Sequence, residues 1–271
     1  DEVKVTNFVE KTANSIVFRV PELPESATVD VLAKYYEGTG SLTLRNDCYV
    51  FIPRVFSYPN LKMGAHRNED FGNMINGTTG QVSTTCILKD VDSRALIDFA
   101  AVHNSNNDFA LNGPQNIKAN LRNYWCNGTP LPPLKSSSTE AEVNENFGEF
   151  TSTVTKLLVL QESKGYGELI RNIKEGNIEE ISPTDEITKA LFNIDMDAEG
   201  SNSVRSRQKT EAEDKEASNI YKAGSVVVFK NLKKNKFGII IIRSVNVDFD
   251  AVKATNDANA TITFDLYYQR Y

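Results

Sequence analysis

"KFGIIIIRSVNV", residues 236–247, decides the fold. Its apolar run is strand-sized, well short of the roughly 18 residues a membrane helix needs. Four successive isoleucines show no alternation, so the strand must be covered on both faces, and that places it in the middle of a sheet. "GSVVVFKN" (224–231) and "NATITFDLYYQRY" (259–271) read as strands on either side of it in sequence. In the second, Ile262, Phe264 and Leu266 alternate with Thr261, Thr263 and Asp265, which predicts one buried and one wet face. The lysine-rich "KNLKKNK" (230–236) between two strand patterns reads as a solvated hairpin tip rather than an anion site.

The first half carries the same signal. "SIVFRV" (15–20), "TVDVLAKYY" (28–36), "SLTLR" (41–45) and "DCYVFIPRV" (47–55) are rich in β-branched and aromatic residues. "EGTG" (37–40) supplies a tight hairpin turn, and the two prolines of "VPELPESA" (20–27) mark a connection. "VSTTCILKDV" (82–91) and "ALIDFAAVH" (95–103) resume the strand pattern after a stretch rich in turn formers, residues 56–81, which reads as a long loop. The proline-, serine- and acid-rich segment 130–146 is a possible internal boundary, and "FTSTVTKLLVLQ" (150–161) reads as strand. Helical spacing appears twice, in "YGELIRNIKEG" (166–176) and "SPTDEITKALFNI" (182–194). Residues 197–219 hold almost no large apolar side chain and read as a solvated excursion or polar helix. The expected architecture is a mainly β protein, an antiparallel β-sandwich elaborated with two short helices in its C-terminal half, forming one composite domain over residues 1–271.

A chain of 271 residues with 40% hydrophobic content can build a full core. A net charge of −6 works against a general nucleic-acid binder, because phosphate recognition needs a basic surface. Cys48, Cys86 and Cys126 show no metal-site spacing; they allow one disulfide plus a free thiol or three buried thiols, and their apolar surroundings favour the buried thiols. The sequons at Asn76, Asn127 and Asn259 mark surface turns.

Catalytic patterns are missing. His66 and His103 are the two histidines, and neither sits in a nucleophile frame such as G-x-S-x-G. No phosphate-binding loop, zinc motif or dinucleotide fingerprint occurs, and carboxylate pairs such as Glu69/Asp70 do not stand out against 36 acidic residues. The expectation is a protein that is not an enzyme and carries no metal or cofactor. Binding is better supported: Tyr58, His66 and Phe71 in the stretch 56–81, His103, Asn104, Asn106 and Asp108 after the "IDF" strand, and Tyr124 with Trp125 combine aromatic faces with amide and carboxylate groups. Such a mixture suits a small molecule, a glycan or a peptide. The two histidines also admit haem as an alternative ligand.

"IDFAAVHNSNNDFALNGP" (97–114) followed by "NYWCNGT" (123–129), with "AGSVVVFKNLKKNKFGIIIIRSVN" and "ITFDLYYQ" near the end, resembles cell-surface lipoproteins of Bacteroides-type bacteria. "VKVTNFV" (3–9) is similar to the start of such proteins just after their lipidated leader. The resemblance implies export to the cell surface or the periplasm-facing outer membrane. It implies membrane attachment only through a lipid anchor upstream of Asp1, and an outer-membrane transporter as partner. It also keeps open a fimbrial or adhesive subunit, with residues 197–219 as a processing loop.

Overall fold

A computed structural model describes residues 8–11, 16–18, 27–33, 43–51, 55–66, 68, 70–103, 109–118, 121, 125–126, 129–135, 137–175, 190–191, 193–206, 219–247 and 259–270; for the first 51 residues only the backbone is described. The chain forms two compact units, residues 1–53 and 54–271. In the first, β1 (Phe8–Lys11) pairs antiparallel with β2 (Ile16–Phe18), and β3 (Ala27–Ala33) with β4 (Thr43–Phe51). The "TLR" of "SLTLR" and "DCYVF" thus run through as one strand, whereas the expected "EGTG" turn lies outside the described residues.

The second unit is the antiparallel β-sandwich. Its strands are β5 (Val55–Gly64), β6 (Met74–Asn76), β7 (Gln81–Ser83), β8 (Phe99–His103), β9 (Phe109–Asn112), β12 (Thr155–Val159), β13 (Ser203–Ser206), β14 (Val226–Asn231), β15 (Lys236–Asn246) and β16 (Thr261–Gln269), with a separate two-residue ribbon β10 (Trp125–Cys126) and β11 (Thr129–Pro130). One sheet has the order β12-β14-β15-β16-β5, the other β13-β9-β8-β6-β7. The isoleucine strand β15 is the middle of the first. Ile240 and Ile242 point into the layer between the sheets beside Phe99, Phe109 and Phe264, while Ile239 and Ile241 face outward onto Leu169 and Ile173 of α3 (Gly167–Glu175). The absence of alternation is therefore literal: both faces are dry. The second sheet is covered in the same way, since Ala100 and Val102 face Val143, Phe147 and Phe150 of α2 (Glu140–Thr151). Four layers result, helix, sheet, sheet, helix.

Several expectations change. Residues 56–81 are not one loop: β5 occupies the first part as an edge strand. Pro59 is tolerated there because an edge has unpaired N–H positions, and Asn60, at φ 55°, sits where the register with β16 shifts. Segment 130–146 is no linker, because Leu131, Leu134 and Val143 are core residues and Thr139 with Glu142 forms a capping box on α2. "TCILK" (Thr85–Lys89) is a 3-10 turn rather than strand, followed by α1 (Val91–Arg94). The start of the polar run 197–219 is strand β13, with Val204 in the core. α3 matches the first helical pattern; most of 182–194 lies outside the described residues, although Leu191 and Ile194 are buried. The supposed wet face of β16 is largely covered as well: Asp265 is only 4% exposed, ion-paired with Arg243 and accepting the Asn60 N–H at 2.9 Å. Burial pushes the Asp265 carboxyl up, but the Arg243 and Asn60 hydrogen bonds and the Arg243 charge outweigh it and hold it below the ordinary carboxylate value.

The lysine tip is not wholly solvated either. Lys234 reaches back to Asp98, which is 0% exposed. Asp98 Oδ1 accepts from Asn231 Nδ2 at 2.7 Å, Lys234 Nζ at 2.9 Å and the Tyr268 hydroxyl at 3.1 Å, and Oδ2 accepts the Gly77 N–H at 2.8 Å. A Cβ on Gly77 would lie 2.5 Å from the Tyr268 ring, so only glycine lets the β6–β7 turn close on the carboxylate. Burial, and next the negative Asp98, push the Tyr268 phenol far above its ordinary value, so it remains a donor.

Replacing Asp98 by alanine removes the acceptor of a phenol, an amide and a backbone N–H and leaves the Lys234 ammonium with the Leu96 carbonyl. Asp98→Ala is expected to cost about 3–5 kcal/mol in urea unfolding. Arg243→Met, which leaves Asp265 buried with one donor, is expected to cost about 1–3 kcal/mol near neutral pH. Because the folded Asp265 pKa lies below its unfolded value, the stabilisation is present above about 3.8 and lost as pH falls through the folded pKa. The gap between wild type and Arg243→Met should therefore close in acid, as read from unfolding curves across that range.

Candidate functional site

Strand register sorts the sequence-derived site residues onto the two ends of the sandwich. β8 begins beside Asp98 and ends at His103, which pairs with Phe109 at the mouth of the β8–β9 connection. The N–H of Ala101 donates to the carbonyl of Asn73, so the chain running back from Asn73 leads Phe71 toward the His103 end. There the Gly64 N–H donates to Gly72 O at 2.9 Å, closing the turn that contains His66. Both glycines are needed for the close approach: a Cβ on Gly72 would sit 2.5 Å from the Ser83 backbone, and one on Gly64 2.5 Å from the Asn68 side chain. Inside the turn Asn68 Oδ1 accepts the N–H groups of Asp70 and Phe71, and Lys62 Nζ lies 3.9 Å from the Phe71 ring centroid.

The strand that carries Trp125 is held by a covalent link. Cys126 is disulfide-bonded to Cys86, which replaces the expected buried thiols; Cys48 lies in β4. The turn carrying Cys86 follows β7, and its Thr85 hydroxyl donates to Asn73 Oδ1 at 3.0 Å, on the His103 side of Met74. The bridge therefore ties β10, the strand of Trp125, to the turn that follows β7. The same 3-10 turn and α2 are tied by Arg94, which donates to Leu88 O at 2.5 Å and to Asn146 O at 2.7 Å.

Tyr58 does not belong to this group. It faces Leu266 on β5, six residues before Gly64, or roughly 20 Å along an extended strand. Its hydroxyl donates to Thr78 O at 2.5 Å and its ring packs on Gly80, beside Phe56 and close to the Asp98 end. Burial pushes its phenol up, opposed by Arg270. Asn104, Asn106, Asp108 and Tyr124 lie outside the described residues.

The histidines are less available than a ligand site needs. His66 is 8% exposed and His103 is 0% exposed; His103 continues the inward face of Phe99 and Ala101. Phe71 is half-buried. Among the described residues, no group of three or more His, Cys, Asp or Glu side chains could hold a metal ion, and no helix is long and apolar enough to cross a membrane.

No family model matches this chain, and no curated protein does. Among solved structures it is similar to a DUF4466 family protein from Parabacteroides merdae, at 10% identity and a TM-score of 0.43, over 86% of this chain. The chain spans 59% of that protein's length.

The residues that sequence reasoning missed are Asp98, Lys234 and Arg94, each hidden among many charges, and the Asn68 turn that presents Phe71. Tyr58→Ala should lower stability by about 1–2 kcal/mol through lost packing and the Thr78 bond, and leave ligand binding at the His103 end unchanged. Thermal unfolding and titration of the same variant separate the two effects.

Proposed function

We propose that this is a non-enzymatic, exported ligand-binding protein of the cell surface that takes a glycan or a peptide at the His103 end of its sandwich. What supports the reading is that Phe71 is held at that end by the Asn68 turn and that the strand carrying Trp125 is bridged through Cys126 to Cys86, in the turn that follows β7. Asn104, Asn106 and Asp108 lie in sequence between His103 and Phe109, which pair at that end; their own placement is outside the described residues. A chain that combines aromatic residues with amides and a carboxylate in these stretches suits sugar rings and peptide groups alike. The disulfide supports export, because such bridges persist in oxidising compartments. The resemblance to Bacteroides-type surface lipoproteins supports a lipid anchor upstream of Asp1 and a transporter partner.

Two other readings have less support. Haem ligation by His66 and His103 would require buried imidazoles to come out to the iron. Strand exchange of a fimbrial kind would need an open sheet edge, and β5 is blunted by Pro59, the Asn60 irregularity and Lys62.

A thermal-shift screen against oligosaccharides, peptides and haem tests all three, since a ligand that binds the folded state raises the Tm. The expected result is a shift with one glycan or peptide class that Phe71→Ala and Trp125→Ala each weaken by roughly tenfold or more in Kd, as loss of an aromatic contact of about 1.4 kcal/mol or more requires. A haem Soret band lost in His103→Ala, or stable oligomers without any ligand shift, would overturn it.

A further inference from the structure

The cluster around Asp98 holds more than an ion pair. Asp98 Oδ1 accepts from Asn231 Nδ2 at 2.7 Å and from Lys234 Nζ at 2.9 Å, so a carboxamide nitrogen and a primary amine meet on one carboxylate oxygen. The carboxamide is held from its other side as well, since Asn231 Oδ1 accepts the backbone N–H of Lys234 at 3.1 Å. The Leu96 carbonyl, 2.9 Å from Lys234 Nζ, fixes the amine from a second direction. Asp98 and Asn231 are both 0% exposed, and the Lys234 side chain is 20% exposed.

These are the parts of an acyl-transfer site. A lysine amine is a nucleophile once it has lost its proton. A carboxylate that touches both nitrogens can take a proton from one and give it to the other. An N–H donor on the carbonyl oxygen stabilises the negative charge that develops there on attack. The fold brings all of these groups together with water largely excluded, the condition in which an intramolecular reaction gains most over the same reaction between free molecules. Asp98 itself is the poorer target for the amine, because a carboxylate has no leaving group comparable to ammonia.

From this we propose that Asp98 catalyses an amide cross-link between Lys234 and Asn231 at the tip of the β14–β15 hairpin. Asp98 takes one proton from the Lys234 ammonium, and the freed lone pair attacks Asn231 Cγ. A C–N bond forms, and the oxygen of the tetrahedral intermediate faces the Lys234 N–H. The Cγ–Nδ2 bond then breaks. The leaving nitrogen collects the proton held by Asp98 and, through the same carboxylate, a second proton from the attacking nitrogen, and departs as ammonium. Asp98 ends as it began, and the new amide keeps one N–H. The step consumes no oxidant, reductant or cofactor. Its product closes covalently a tip in which Lys230, Lys233, Lys234 and Lys236 stand close together, and it is independent of the ligand-binding reading above.

The test is the intact mass of the full chain after reduction of its disulfide and denaturation. The expected mass is one ammonia below that of the sequence. Tandem mass spectrometry should place the loss on a peptide in which residues 231 and 234 are joined and trypsin does not cut after Lys234. Lys234→Arg keeps a cation for Asp98 but removes the nucleophile, and should have its full mass. Asp98→Asn, with its folding checked by circular dichroism, should have its full mass too. A wild-type mass equal to that of the sequence would overturn the proposal. A loss of water would also overturn it, by putting the link on Asp98 itself. So would a loss of ammonia mapped to Asn76–Gly77 or another asparagine, the mark of a succinimide. Folded Asp98→Asn cross-linked as completely as wild type would remove Asp98 from the step and overturn its catalytic role.

Discussion

The carboxylate of Asp98 is the constraint on which the sandwich depends. It is a full charge placed where no water reaches, and an isolated charge there would cost many kcal/mol. Four donors prevent that, and they come from separate parts of the chain: Gly77 from the β6–β7 turn, Asn231 and Lys234 from the β14–β15 hairpin, Tyr268 from β16. Each hydrogen bond alone is modest. Their combined effect is positional, because the carboxylate is satisfied only when the turn and hairpin of opposite sheets are both seated. The apolar layer between the sheets, where Phe99 meets Phe229 edge-on at 5.2 Å, is non-directional and would tolerate sliding; the Asp98 cluster fixes the alignment.

The same need for coverage explains the outer layers. β15 has isoleucines on both faces, and a sheet of this kind cannot stand with one side in water. α3 brings Leu169 and Ile173, and residues 190–196 bring Leu191, Ile194 and Met196. On the far side, α2 is started by the Thr139–Glu142 capping box and anchored by Arg94, whose guanidinium lies 4.4 Å from the Phe147 ring centroid and donates to the Asn146 carbonyl. A residue such as Asp265, on β16 between β15 and β5 and polar in a sequence pattern that promises water, is buried because Arg243 and the Asn60 backbone reach over it.

The fold was legible where the pattern was strong. Three C-terminal strands, the centrality of the isoleucines and the α3 face all follow from apolar spacing alone. β5 was obscured by Pro59 and Asn60, residues that break a central strand and suit an edge, and the periodicity rule cannot know which position a strand will take. α2 did carry its signal, Thr139 three residues before Glu142, but the neighbouring prolines and serines concealed it. The disulfide was not legible, because three cysteines without a spacing rule leave the pairing to tertiary structure. For the candidate site, sequence named the aromatic and histidine residues but not their distribution. Tyr58 and Phe71 are 13 positions apart and fall at opposite ends, since β5 runs the length of the sandwich between them.

That distribution bears on where a ligand can act. Both sheet faces are covered by helices or by the opposite sheet, and the β5 edge is blunted. At the Asp98 end, turns and hairpin are cross-linked by a satisfied polar cluster, with the Tyr58 hydroxyl on Thr78 adding a further bond. Opening that end would strand several buried polar groups at once. At the other end, the described residues show the Gly64–Gly72 backbone bond and the Asn68 Asx turn, with the Cys86–Cys126 bridge beyond Thr85. Parts that bind or move come from the less stable regions of a structure, because there the cost of rearrangement is small. The buried charge cluster is the physical ground for reading the Asp98 end as scaffold, and recognition is proposed for the other end.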